Sequence, residues 1–136
     1  ITSPVFKPWN SIVVFFGGSV NAVKALRLGF QIARASGMSI DVFTQTGKYS
    51  EEECMNVIKE RNLEKDKDLY INQWHFFENN NFEDNLYEVP HDALVILGAY
   101  GHGVIKDILF GSKLETIQST LSNNLLIAGP NYATIL

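Results

Sequence analysis

The stretch Leu97-Gly98-Ala99-Tyr100-Gly101-His102-Gly103, running on through Val104 to Phe110 and closing at Gly111-Ser112, decides how this sequence folds. It follows the apolar run Ala93-Leu94-Val95-Ile96-Leu97, which has the character of a strand buried on both faces. It ends at Ser112-Lys113-Leu114-Glu115, where a serine precedes a glutamate by three positions, the pattern of a capping box at a helix start. A glycine-rich loop therefore leaves the carboxyl end of a strand and delivers the chain to a helix N-terminus. Glycines let backbone N–H groups come close to a ligand, and a helix N-terminus carries unpaired donors and partial positive charge. Such a loop suits an anion, most often a phosphate.

Working outward, Ile12 to Phe16 is a second continuous apolar run and reads as a central strand. Gly17-Gly18-Ser19 then turns the chain, with Ser19 placed to cap a helix. Ala22, Leu26, Phe30 and Ala33 recur at near-helical spacing, and Gly37 follows as the C-cap. Ile40 to Thr44 makes a second strand, so the helix between the two implies a right-handed crossover in a parallel sheet. Ser50 with Glu53 forms another capping box, opening a helix that turns Cys54, Val57 and Ile58 inward. The charged stretch Glu60 to Asp68 reads as a solvated face, and Leu69 to Phe77 as the third strand. Glu78 to Asn81 is a turn, Phe82 to Val89 a short helical piece at most, and Pro90 ends it. Beyond the glycine loop, Leu114, Ile117 and Leu121 line the inner face of a last helix. Leu125 to Ala128 is the fifth strand, and Thr134 to Leu136 has room for an edge segment.

The spacing Gly98, two residues, Gly101, nine residues, Gly111-Ser112 resembles the nucleotide-binding signature of the universal stress protein family. Ser11 to Ser19, with Asn21-Ala22 and Ala25-Leu26, is similar to that family's first strand and helix. The resemblance covers about residues 11 to 128, firm at both ends and loose between Gly47 and Pro90. It implies an α/β fold of three layers, a five-stranded parallel sheet of order 3-2-1-4-5 between helices, as in adenine nucleotide alpha hydrolase-like folds. It also implies a single domain over residues 11–136; residues 1–10, with two prolines and no periodicity, read as a linker or N-terminal arm that Trp9 could anchor. Members of the family pair through the edge of the last strand, so a homodimer, or a pseudo-dimer with a second similar domain, is expected there.

In a doubly wound sheet, ligands sit beyond the carboxyl ends of the strands where the order reverses. The family topology brings Gly17, Gly18 and Ser19 to that point together with Leu97, Gly98, Tyr100, Gly101, Gly111, Ser112 and Lys113. The expected ligand is ATP or AMP, with or without Mg2+, its adenine near Gln45 and its ribose and phosphates on Gly98, Gly101, Gly111 and Ser112. Two positions depart from the family. Gly17 stands where nucleotide-binding members resemble Val-Asp-Gly-Ser or Thr-Asp-Phe-Ser, so the carboxylate is missing. Leu114 stands where a second small hydroxyl is usual, beside Lys113. A competing reading stays open, in which the glycines make only tight strand-to-helix turns and the domain is a structural or pairing module.

Composition narrows the classes further. A chain of 136 residues, 46% hydrophobic and 19% charged, is long enough for one domain with a real core. With a net charge of −4 and no basic stripe, nucleic acid is not an expected partner. No apolar run reaches the roughly 20 residues of a membrane-spanning helix, so no membrane role is expected either. The single cysteine, Cys54, leans toward a reducing, cytoplasmic setting and reads as a small buried hydrophobe. The chain opens at Ile1 without a methionine or signal peptide, which reads as a piece of something longer or as a processed form. His75, His91 and His102 fall in three different elements without metal-ligand spacing, and no nucleophile–base pair is readable, so the chain is not expected to be an enzyme.

Overall fold

The computed structural model describes residues 9–17, 20–45, 51–77, 86–98, 121, 123–128 and 133–135. Its elements are β1 (Ser11–Phe15), α1 (Val20–Ser36), β2 (Ile40–Gln45), α2 (Glu51–Glu60) and α3 (Glu64–Tyr70). They continue with β3 (Ile71–Phe77), β4 (Ala93–Gly98), β5 (Leu125–Ala128) and β6 (Ala133–Ile135). One sheet contains all six described strands in the order β3-β2-β1-β4-β5-β6. The first five run parallel in the expected 3-2-1-4-5 arrangement, and β6 returns antiparallel against β5.

Alternation along each strand divides the core into two clusters. Ile12, Val14 and Phe16 join Ile40, Val42, Leu94, Ile96 and Leu126 on the face covered by α1 and α2. Val13 and Phe15 join Phe43, Val95, Leu97 and Leu125 on the other face, closed by Leu86, Val89 and Leu121. β1 and β4 are buried on both sides, which is why their sequences are unbroken apolar runs. Each fully buried Ile, Leu or Phe contributes roughly 1.5–3 kcal/mol.

α1 buries the stripe Ala22, Leu26, Phe30 and Ala33 that its spacing foretold. It ends as expected: Gly37 adopts φ +76°, and its N–H donates to the Ala33 carbonyl at 2.9 Å. α2 buries Cys54 and Ile58. Its end was not foreseen. Asn62 takes a left-handed φ of 58°, its N–H donates to the Lys59 carbonyl, and the Leu63 N–H donates to the Ile58 carbonyl at 2.9 Å. This is a Schellman cap, with Leu63 and Ile58 both in the core beneath it.

The cap splits the charged stretch into two helices, which corrects the third strand at its start. Leu69 and Tyr70 belong to α3, and β3 begins at Ile71. Leu69 is accordingly 63% exposed. Tyr70 lies against Phe30 and accepts a hydrogen bond from Arg34 Nε at 3.2 Å, tying α3 to α1. That bond and the carboxylate of Asp66 3.6 Å away hold the exposed Arg34 guanidinium above its ordinary pKa, Tyr70 being the larger cause.

At the opposite edge, Asn123 is buried and its Nδ2 donates to the carbonyls of Pro90 and Ala93, both at 2.8 Å. One amide thereby sets the start of β5 against the start of β4. Trp9 packs on the first cluster, and Asn10 bonds Asp92 through both backbone and side chain, so these two residues of the expected arm are docked on the domain. Residues 1–8 lie outside the described residues, as do Leu114 and Ile117 of the expected last helix.

Candidate functional site

The strand order reverses between β1 and β4. Val14 and Ile96 form their last paired position, and each strand ends within two residues of it. The carboxyl ends carrying Gly17 and Gly98 therefore lie side by side, where a doubly wound sheet opens its crevice. The first turn of α1 lies over this point and contains no acidic residue.

Gly17 follows β1 and is buried. Just before it, the Phe16 N–H still donates to the Phe43 carbonyl at 3.0 Å, while the Phe16 carbonyl accepts from Thr44 Oγ1 at 2.7 Å. Gly98 closes β4. A β-carbon built on it would fall 2.5 Å from the carbonyl carbon of Asn21 and 2.7 Å from the Ala22 nitrogen. Glycine at this position is thus required by the close approach of α1, whatever else it does. Leu97 is fully buried in the second cluster, so its side chain belongs to the core. Gln45 is the last residue of β2, in register with Phe77. Gly18, Ser19, Tyr100, Gly101, Gly111, Ser112 and Lys113 lie outside the described residues.

Three polar residues are buried, which the sequence reading did not anticipate: Asn21 and Thr44 near these strand ends, and Asn123 at the amino ends of β4 and β5. Their signal was available in principle, since a lone polar residue amid apolar neighbours has to find partners. Cys54 behaves as expected. It is fully buried, and loss of solvent, with a smaller push from Glu53, raises its thiol to about 11. His75 Nε2 stands 4.0 Å from the Asp41 carboxylate, and His91 is exposed in the turn before β4. Among the described residues no group of three or more His, Cys, Asp or Glu side chains could hold a metal, and no helix is long and apolar enough to cross a membrane.

Strand order, parallel pairing and switch point define a doubly wound α/β fold. More closely, it is the universal stress protein fold. A universal stress protein crystallised in complex with cAMP superposes with a TM-score of 0.59 at 20% identity, over 90% of this chain and 98% of that one. The universal stress protein of Archaeoglobus fulgidus gives 0.54 at 18% identity, covering 91% and 94%. UspA of Lactobacillus plantarum gives 0.59 at 12% identity, covering 90% and 99%. No family model and no curated protein sequence matches the chain.

Proposed function

We propose that this domain binds an adenine nucleotide at the carboxyl ends of β1 and β4 and acts as a universal-stress-type sensor or regulator. The observation that carries the reading is the Gly98, Gly101, Gly111-Ser112 spacing, which starts at the end of β4 beside the order switch. A solved structure of the same fold, in complex with cAMP, supports the adenine part. ATP or AMP, with or without Mg2+, is the proposed ligand, and no hydrolytic role is assigned. A reducing, cytoplasmic setting agrees with the free, buried Cys54. Pairing with a second copy, or with a similar domain, is proposed at the β5–β6 end of the sheet. There β6 already occupies the edge of β5, so the strand offered to a partner is β6.

Calorimetric titration with ATP, AMP and cAMP tests this. Wild type should release heat with at least one of them. Gly101→Val and Gly111→Val should abolish binding by placing bulk where backbone must approach. Ser112→Ala should weaken binding by about 1 kcal/mol. A silent wild type, with the Gly101 variant equally stable, leaves the second reading: a structural or pairing module. Two observations favour that module. Gly17 replaces the family's acid, and Gly98 already has a packing reason to be glycine.

A further inference from the structure

We infer that Thr44 is the positioning residue for the carboxyl end of β1, fixing the peptide that joins Phe16 to Gly17. As a contribution to ligand binding, this rests on the nucleotide reading above. Thr44 is wholly buried on β2. A hydroxyl has one proton and two lone pairs, and here the proton and one lone pair are engaged by buried partners. The proton goes to the Phe16 carbonyl at 2.7 Å, and Trp74 Nε1 donates to the oxygen at 2.9 Å. One oxygen thus ties β2 to the exit of β1 and to β3. The Phe16 ring meets Trp74 edge-on, with centroids 5.5 Å apart, so packing and hydrogen bonding fix the same pair.

Phe16 is where this hold matters. It lies one residue past the end of β1, and its carbonyl is bonded by a side chain instead of a neighbouring strand. A trans peptide is planar, with its C=O and N–H pointing in opposite directions. Aiming the Phe16 carbonyl at Thr44 therefore aims the Gly17 N–H away from Thr44. At a position that lacks the family's carboxylate, this backbone donor is what residue 17 has left to offer a ligand. Its direction is set by a side chain on the neighbouring strand.

Thr44→Val keeps the shape and deletes the hydroxyl. In 15N-resolved NMR it should shift both the Trp74 indole N–H and the Gly17 amide, and calorimetry should show ATP affinity falling about tenfold, the scale of one lost positioning bond. Thr44→Ser should restore both. Ile58→Ala, a cavity in the same cluster, should lower the melting temperature while leaving the Gly17 amide and the ATP affinity unchanged. If Thr44→Val does not fold, Trp74→Phe removes the indole donor but keeps a ring, and should move the Gly17 amide in the same sense by less. A Gly17 amide unmoved by these changes at Thr44 and Trp74 overturns the inference, as does ATP affinity in Thr44→Val equal to that of a binding wild type. A wild type that binds no ATP overturns the nucleotide reading instead, and the Gly17 amide still decides whether Thr44 holds this strand end.

Discussion

The first turn of α1 fills the space that a side chain at position 98 would need: a β-carbon on Gly98 would stand 2.6 Å from the carbonyl oxygen of Asn21. The neighbour is helix backbone, which cannot rotate aside. Gly98→Ala must push α1 off the end of β4, and it should destabilise the fold by about 1–3 kcal/mol. Urea unfolding measures this. A purely ligand-contacting glycine would instead leave the midpoint unchanged.

Asn123 holds two carbonyls at once, those of Pro90 and Ala93. Asn123→Ala leaves both acceptors without that partner in a buried setting and should cost about 2 kcal/mol. Hydrogen exchange should accelerate in Leu125–Ala128 before it does in β1. Equal protection of β5 in the variant and wild type would show that other contacts set its register.

Cys54 gives a pH dependence with a definite sign. Its thiol titrates near 9.0 when unperturbed and is raised to about 11 in the fold, chiefly by burial. Below pH 9 both states keep the proton and the stabilisation is complete. Between about 9 and 11 the unfolded chain loses its proton first, so stability falls, by roughly 2–3 kcal/mol in all. Cys54→Ala should remove this component of the alkaline slope when stability is followed from pH 8 to 11. Native protein at pH 8 should also react slowly with thiol reagents.

Gly17→Asp restores the acid that the family pattern carries. Without ligand, a carboxylate at this buried position should lower the melting temperature. With saturating ATP the rise in melting temperature should exceed that of wild type, because binding is linked to stability. A ligand-induced rise no larger than that of wild type would show that the acid is not what the site lacks.

Most of the sheet was legible because β1, β4 and β5 are largely apolar runs bounded by turn residues, β2 has the apolar core Val42-Phe43 after a glycine stop, and α1 has a full apolar stripe. The Asn62 cap and α3 were not. Glu64 to Asp68 is charged throughout, and α3 has no buried residue, so no periodicity marks it. It is held instead through Tyr70, by contacts with Phe30 and Arg34 that sequence spacing cannot show. β6 (Ala133–Ile135) falls within one residue of the edge segment expected over Thr134 to Leu136, though three residues are too few to fix its direction. At the site, the glycine spacing was readable but the reason for each glycine was not. Gly98 serves helix packing, a fact that depends on Asn21, which is 77 positions earlier in the chain.

β1 carries a further consequence for how the chain is made. It pairs on one side with β2, which follows soon after synthesis, and on the other with β4, and the Asn10–Asp92 bond beside that second pairing spans 82 positions. A ribosome-bound chain can assemble β1, β2 and β3 early, but it leaves the inner edge of β1 without its partner until β4 has emerged. During that interval Ile12, Val13 and Val14 present an open apolar edge. The domain is therefore most vulnerable to misassociation during its own synthesis, and slow translation between residues 45 and 98 would prolong that exposure.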